Sequence, residues 1–408
     1  MKILYLHQYF KTPQEPGGTR SYWISRELLS RGHEITLIAG RQNREKNREV
    51  RIIDGIKVVY FKAPYDNAMG MTRRIIAFLK FMFWSTWELL NQKKADLVIA
   101  TSPPLSVGFP VLILSLFSKT PFLFEVRDLW PEVLVQMGSL KNPILRKMAY
   151  AFERQIYKKA RHVVALSPGM KEGIVTAGVA PQKVSVISNM AKIDKFWPRE
   201  KNTSIFERFK LNPTSFKVIY FGTLGYANGL DNFVNAAKLA KLKNIEDIDF
   251  VLIGNGAMKT RYEEVKNKEE INHLMIHDTL PMDEISELVN VCDVSYVGFS
   301  HVPVLKTNSS NKFFDTLSAG KPIIINYDGW MKDIIEKGEC GIAVHPTDPN
   351  DLLKGIISLK ENPEIVKKMG QNARLLAETQ YDKSILCRKF ADVVETICLT
   401  PFKENGID

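Results

Sequence analysis

At 408 residues the chain is too long for one ordinary core, so two domains of comparable size are expected, which excludes a mini-scaffold or a lone binding module. A composition of 45% apolar, 25% charged and 10% aromatic residues excludes a disordered or fibrous chain; the four scattered cysteines (Cys292, Cys340, Cys387, Cys398) suggest neither a disulfide framework nor a CxxC metal pair, and fit a reducing cytoplasm. The net charge of +11 is uneven, because residues 1–200 hold 31 Lys and Arg against 16 Asp and Glu, or +15, and the remainder carries −4. That balance fits an anionic partner (nucleic acid, a membrane surface or a phosphorylated substrate) or an ordinary solvated basic face.

The opening MKILYLHQYF reads as a short strand and lacks the apolar core and cleavage site of a signal peptide, so export by that route is not expected. Further strands are expected at Ile35–Ala39, Val58–Phe61, Leu97–Ala100, Phe122–Val126, Val163–Leu166 and Val184–Ile187, with helices at 19–31, 72–92, 132–160 and 169–178. The apolar stretches Ile75–Trp87 and Leu105–Phe117 are broken by Lys80 and Pro110 and fall short of the roughly 18 residues of a spanning helix. The polar stretch 190–215 reads as an interdomain hinge. Alternation then resumes, with strands at Lys217–Phe221, Phe250–Ile253, Leu274–His277, Val294–Val297, Pro322–Ile325 and Ile342–Val344 and helices between them, ending in a long helix, Lys383–Cys398. Strands alternating with helices imply two doubly wound, mostly parallel sheets: an α/β chain with a domain at 1–195, a domain at 196–382, and a final helix at 383–408 that crosses back to the first. Ligands of such sheets bind beyond the carboxyl ends of the strands, here in the cleft between two Rossmann-like halves.

The chemistry-bearing residues are therefore sought just after strands. Gly17 and Gly18 precede a helix whose N-terminus favours negative charge, although a glycine pair is equally at home in a flexible loop. Gly222-Thr223-Leu224-Gly225 and Gly254-Asn255-Gly256 follow two strands at one sheet edge, and neither completes GxGxxG, since Lys259 stands where the third glycine would be. A nicotinamide site is disfavoured. In Asn311-Lys312-Phe313-Phe314-Asp315, polar residues suit a helix start, and Lys312 in the first turn makes sense where an anion sits; a capped helix with one Lys312–Asp315 pair is the plainer alternative. Asp247-Ile248-Asp249 matches a metal-holding DxD but precedes its strand, at the wrong edge. His7 lines the acceptor side or simply bonds within the core.

RGHEIT behind a GG loop, FGTLGYANGLDNFVNAAK, FVLIGNGAMK, NKFFDTLSAGKPIII and CGIAVHPTDPNDL resemble, in order and spacing, the retaining nucleotide-sugar glycosyltransferases of the GT-B fold, family four, over nearly the whole chain. TSPPLSVG and PFLFEVRDLWPEVLVQMG resemble the bacterial branch, fucosamine-transferase-like, that builds O-antigen and capsule. The resemblance implies an enzyme moving a hexosyl or N-acetylamino-sugar group from a UDP-linked donor in the second domain to a lipid-linked (polyprenyl) or oligosaccharide acceptor at the first. No cofactor, metal or nucleic acid is expected. Of the family's Glu-x7-Glu motif, the ribose-binding second carboxylate falls on Asp315, while Thr307 replaces the first; the Arg and Lys that neutralise the pyrophosphate fall on Thr223 and Asn228. Lys312, the glycine loops and the helix start near Ser310 are then the expected replacements.

Where many members carry a His, this chain has Glu125-Val126-Arg127-Asp128. Asp128 is expected to orient the acceptor or act as a weak base, and Arg127 to bind phosphate or acceptor, with an internal Arg127–Asp128 salt bridge as the alternative. The stretch from Met71 to Trp87, with Arg73, Arg74 and Lys80 its only charges, reads as a buried helix or as one docking on an anionic bilayer from the cytoplasmic side. A GT-B nucleotide-sugar epimerase or hydrolase, and a basic nucleic-acid-binding protein, are the competing functions.

Overall fold

The structure is a computed structural model and describes residues 1–15, 17–41, 47–63, 71–92 and 95–399, without the side chains of Met71 and Arg74. The described residues divide into two units. One comprises Met1–Thr12, Thr19–Ser188 and the chain from Ser384; the other comprises Pro13–Gly18 and Asn189–Lys383. The division at Ser188 lies a few residues before the sequence-based one, and Gly17 and Gly18 group with the second unit.

The first unit is built on eight strands: β1 (Lys2–Leu6), β2 (Glu34–Arg41), β3 (Arg48–Ile53), β4 (Ile56–Lys62), β5 (Leu97–Thr101), β6 (Phe122–Val126), β7 (His162–Ala165) and β8 (Val184–Val186), in the order β3-β4-β2-β1-β5-β6-β7-β8. All neighbours are parallel except the β3–β4 edge pair. Sequence reasoning misses β3 because its residues are mostly exposed on both faces, which erases the alternation that marks a strand. The central strands read as continuous apolar runs for the opposite reason, being covered on both faces: every residue of β5 and β6 is buried.

One helix lies outside the sequence-based expectations, and one expected helix needs correction. The run Leu105–Phe117 contains a helix, Gly108–Phe117, that tolerates Pro110 in its first turn, where the proline's missing N–H costs no intrahelical bond. The expected helix 132–160 is two, Glu132–Gln136 and Pro143–Lys159. Gly138 at φ +72° ends the first, and the Asn142 side chain accepts from the amides of Ile144 and Leu145, at 2.9 and 3.1 Å, to cap the second.

The second unit carries β9 (Phe216–Phe221), β10 (Ile248–Ile253), β11 (Leu274–His277), β12 (Val294–Val297), β13 (Ile323–Ile325) and β14 (Gly341–Ala343), all parallel, in the order β11-β10-β9-β12-β13-β14. Helices on its faces bury Phe233, Phe313, Phe314, Leu317, Ile335 and Leu352, each fully enclosed aromatic or aliphatic side chain contributing about 1.5–3 kcal/mol. The stretch expected as a hinge instead packs into this unit: Phe196, Ile205, Phe209 and Leu211 are buried there, and Ala191 bonds the backbone of Tyr381 and Lys383.

The last helix, Lys383–Leu399, packs into the first unit from Ser384 onward, burying Leu386, Phe390 and Val394. Arg31 reaches Asp392 at 2.7 Å and Glu395 at 3.0 Å, and His33 Nε2 lies 2.9 Å from Glu395. The RGHE sequence thus anchors the C-terminal helix.

Candidate functional site

In the second unit, parallel pairing sets Phe221 level with Ile253, so the glycines that follow β9 and β10 come out side by side. Gly254 has φ +151°, and a Cβ there would lie 1.8 Å from the Gly222 carbonyl oxygen; Gly222 has φ +136°, and a Cβ there would press on Lys312 Cε at 3.0 Å. Both positions demand glycine. The loops are stitched by Gly222 N to Ile253 O at 2.8 Å and Leu224 N to Asn255 O at 2.9 Å. Thr223 is exposed, whereas Asn228 is buried and closes a short turn with its amide on the Gly225 carbonyl at 3.0 Å.

Beside these loops begins the helix Asn311–Ser318. Ser310 stands at its cap with extended backbone and no side-chain bond to the helix, and the half-buried Asn311 opens the first turn, so the first amides are left without a side-chain cap. Lys312 is half-buried, its ammonium donating to the Tyr220 hydroxyl at 2.8 Å and lying 4.1 Å from that ring's centre. Tyr220 in turn donates to the Thr223 carbonyl at 2.7 Å, which fixes its oxygen as acceptor for the lysine. With no carboxylate against it among the described residues, desolvation pulls the Lys312 pKa down to about 7. The structure therefore gathers Lys312, Gly222, Thr223 and Gly254 at one strand edge: an unneutralised ammonium, two glycine loops and a helix start.

Asp315 does not pair with Lys312. It is buried against Lys192, whose Nζ lies 2.9 Å from Oδ1 and 3.1 Å from Oδ2; burial raises its pKa, and the Lys192 charge opposes that rise. Asp249 is the second residue of β10 and accepts from the Asn212 amide at 2.9 Å, so the DxD sequence occupies the strand end opposite Gly254.

In the first unit, Arg127 and Asp128 follow β6. Arg127 Nη1 donates to His7 Nε2 at 3.1 Å, so the imidazole proton sits on Nδ1, which meets Ser21 Oγ at 2.7 Å. Burial, with the Arg127 charge, holds the His7 pKa well below its usual value, and the ring is neutral. No ion pair joins Arg127 to Asp128. Asp128 is half-buried, and desolvation raises its pKa to about 6 against the pull of Arg127. Such a carboxyl is poised to exchange a proton near neutrality.

Beneath these two residues lies a network that sequence reasoning missed. The buried Arg20 guanidinium bonds Glu125 Oε1 at 2.8 Å and the Ile187 carbonyl at 2.9 Å, and also the Ser188 carbonyl, while Thr101 donates to Glu125 Oε2 at 2.6 Å. Its members are distant in sequence and carry no local signal. Gly17, at φ +129°, is exposed and Gly18 half-buried.

Two family models match the chain: "Glycosyl transferase 4-like domain" over residues 17–190 and "Glycosyl transferases group 1" over residues 201–376. Among curated relatives, the chain is 25% identical to "Probable glycosyltransferase WbjE" of Pseudomonas aeruginosa, over 83% of this chain and 84% of that one. It is 22% identical to alpha-galactosylglucosyldiacylglycerol synthase of Streptococcus pneumoniae, over 63% and 67%. Among solved structures, the HepE protein of Anabaena in complex with UDP and glucose superposes with a TM-score of 0.72 at 17% identity, covering 97% of this chain and all of that one (100%).

Proposed function

Because the chain belongs to the family-four glycosyltransferases of the GT-B type, we propose that it moves a sugar from a UDP-linked donor, with retention of configuration, to a lipid-linked or oligosaccharide acceptor in the building of a bacterial surface polysaccharide. The observation that carries this reading is Lys312: an ammonium seated on the Tyr220 hydroxyl with no carboxylate partner among the described residues, set between two glycine loops and an uncapped helix start. A diphosphate leaving group builds negative charge as the glycosidic bond breaks, and fixed positive potential there lowers the barrier. Lys312 supplies the charge and the helix start supplies N–H donors. Asp315, held by Lys192, accepts from the ribose hydroxyls with the lone pairs that Lys192 leaves free. No metal is required in this scheme, and turnover is expected to continue in a chelator.

In the first unit, Asp128 orients the acceptor hydroxyl and takes its proton, and Arg127, braced by His7, binds an anionic or polar group of the acceptor. Neighbours support parts of this reading: the Streptococcus pneumoniae relative is named alpha-galactosylglucosyldiacylglycerol synthase, which supports a lipid acceptor, and the Anabaena structure holds UDP and glucose, which supports a UDP-linked donor. The test is product analysis with a panel of UDP-, GDP- and ADP-sugars, with and without a polyprenyl-phosphate-linked acceptor. Acceptor-dependent transfer from a UDP-sugar supports the proposal; release or rearrangement of the sugar at equal rate without acceptor assigns an epimerase or hydrolase instead.

A further inference from the structure

The strand β3 ends the first sheet, and no described segment pairs with its outer side. A strand so placed offers a row of backbone N–H and C=O groups to a further strand. The hairpin decides which residues offer them. Asp54 and Gly55, at φ +48° and +84°, form the two-residue loop between β3 and β4, and such a loop closes on a pair that exchanges both of its backbone hydrogen bonds, here Ile53 with Ile56. Alternation along the ladder then turns the backbone groups of Glu49 and Arg51 inward to β4 and leaves those of Arg48, Val50 and Ile52 pointing outward.

The side chains of β3 divide between the two faces of the sheet. Arg48 reaches Glu88 of the helix Met71–Asn91 at 2.9 Å, which sets Arg48, Val50 and Ile52 on the face that this helix covers, and Glu49 and Arg51 on the other. The helix is not a buried one: Ala77, Phe81 and Leu89 are buried, while Ile75, Leu79, Phe83 and Trp87 are exposed. Nor does it hide the sheet edge, where Val50 is 41% and Ile52 68% exposed. On the opposite face Arg51 Nε lies 2.5 Å from Glu49 Oε1 of the same strand.

Charge selects the strand that fits this edge. When a second copy is set antiparallel about a two-fold axis at Val50, the outward backbone groups meet: Val50 faces the partner's Val50, Arg48 the partner's Ile52, and Glu49 the partner's Arg51, each unlike contact being made twice. Opposite charges across neighbouring strands attract, and like charges directly opposed repel. Sliding by two residues, the smallest slip that keeps the outward groups opposed, sets Glu49 against Glu49 in one direction and Arg51 against Arg51 in the other. The strand is therefore complementary to itself in one register. We propose that β3 is a homodimerisation edge, through which two copies of the chain join antiparallel and continue the sheets of their first units into one. Val50 and Ile52 are then covered by their counterparts and by the apolar stem of Arg48, whose charged end stays with Glu88. A six-residue strand covers less than the roughly 1,600 Å² of a standard interface, so the dimer forms and dissociates with concentration.

The experiment is analytical ultracentrifugation of the full chain across a concentration series. Wild type, Glu49→Arg, Arg51→Glu, Val50→Pro and a control, Leu242→Glu at an exposed position of the second unit, are compared, each checked for fold by circular dichroism. The expected result is a monomer–dimer equilibrium in wild type and control, with a dissociation constant of about 1–100 μM. Each single charge change sets like charges against each other across the axis and should weaken the dimer by at least about tenfold. Val50→Pro should do the same while sparing the hairpin, because it removes an N–H that points away from β4. The deciding arm is a mixture of Glu49→Arg with Arg51→Glu: each alone is monomeric, yet together every cross-strand pair is again of opposite sign, and the mixed dimer should form. A wild type that stays monomeric throughout leaves the edge to solvent or to another protein's strand and overturns the inference. So does a dimer that the charge changes and Val50→Pro leave intact, or a mixture of the two singly changed chains that fails to associate.

Discussion

Lys312 and Asp128 owe their altered proton affinities to the same cause, burial of the charged group, acting in opposite directions. Lys312 loses its proton as pH rises through about 7, and Asp128 loses its own as pH rises through about 6. If the diphosphate needs the ammonium and the acceptor hydroxyl needs the carboxylate, kcat/KM follows a narrow bell, rising through about 6 and falling above about 7. Asp128→Asn should remove the rising limb along with most activity, and Lys312→Met the falling limb. A pH-independent kcat/KM from 5 to 9 on a rough scale would contradict both roles. A bound diphosphate also raises the Lys312 pKa, so calorimetry above neutrality, in buffers of differing ionisation heat, should show proton uptake with UDP.

The Lys192–Asp315 pair makes a different demand. Removing one partner leaves an uncompensated buried charge, and Lys192→Met is expected to destabilise the fold by about 3–5 kcal/mol in urea unfolding, more than the double change Lys192→Met/Asp315→Leu. Asp315→Asn, which preserves shape, should weaken UDP binding by about 1–3 kcal/mol if the ribose is held there. Unchanged affinity in a folded Asp315→Asn protein would leave the residue a structural ion-pair partner only.

Among elements, the C-terminal helix shows how a surface signature and a core contribution differ. Its contacts to Arg31 and His33 are partly exposed and worth little singly, whereas Phe390 is wholly buried, with the Arg20 guanidinium 5.9 Å from its ring centre. Phe390→Ala should cost about 3–5 kcal/mol, while Glu395→Ala should cost less than about 1 kcal/mol. Equal costs in urea melts would contradict this ranking. The same contrast explains what the sequence discloses. Parallel strands buried on both faces, such as Leu97–Thr101 and Ile248–Ile253, announce themselves as apolar runs, and glycines after them mark the ligand edge. The edge strand Arg48–Ile53, exposed on both sides, does not, and the helix Gly108–Phe117 is masked by its proline. At the site, Lys312 and Asp315 could be singled out from their helix, but not their partners. Tyr220 is 92 residues from Lys312 and Lys192 is 123 from Asp315, so only the fold brings them together.

For the whole molecule, the two sheets divide the chemistry. Gly222, Gly254 and Lys312, proposed to hold the diphosphate, and Asp315, proposed to hold the ribose, belong to the second unit, and Arg127, Asp128 and the Arg20–Glu125 network to the first. In the proposed scheme the acceptor falls to the first half, with its +15 balance, while the donor site draws on local fixed charge and not on net charge. A substitution in one unit should therefore spare the function of the other. Titration calorimetry of UDP against wild type, Lys312→Met and Asp128→Asn tests this division and the donor assignment together. The account predicts measurable UDP binding in wild type, a loss of at least about tenfold in Lys312→Met, equivalent to about 1.4 kcal/mol, and undiminished binding in Asp128→Asn. Wild type that binds no UDP, or a folded Lys312→Met protein that binds it as tightly as wild type, would contradict the account.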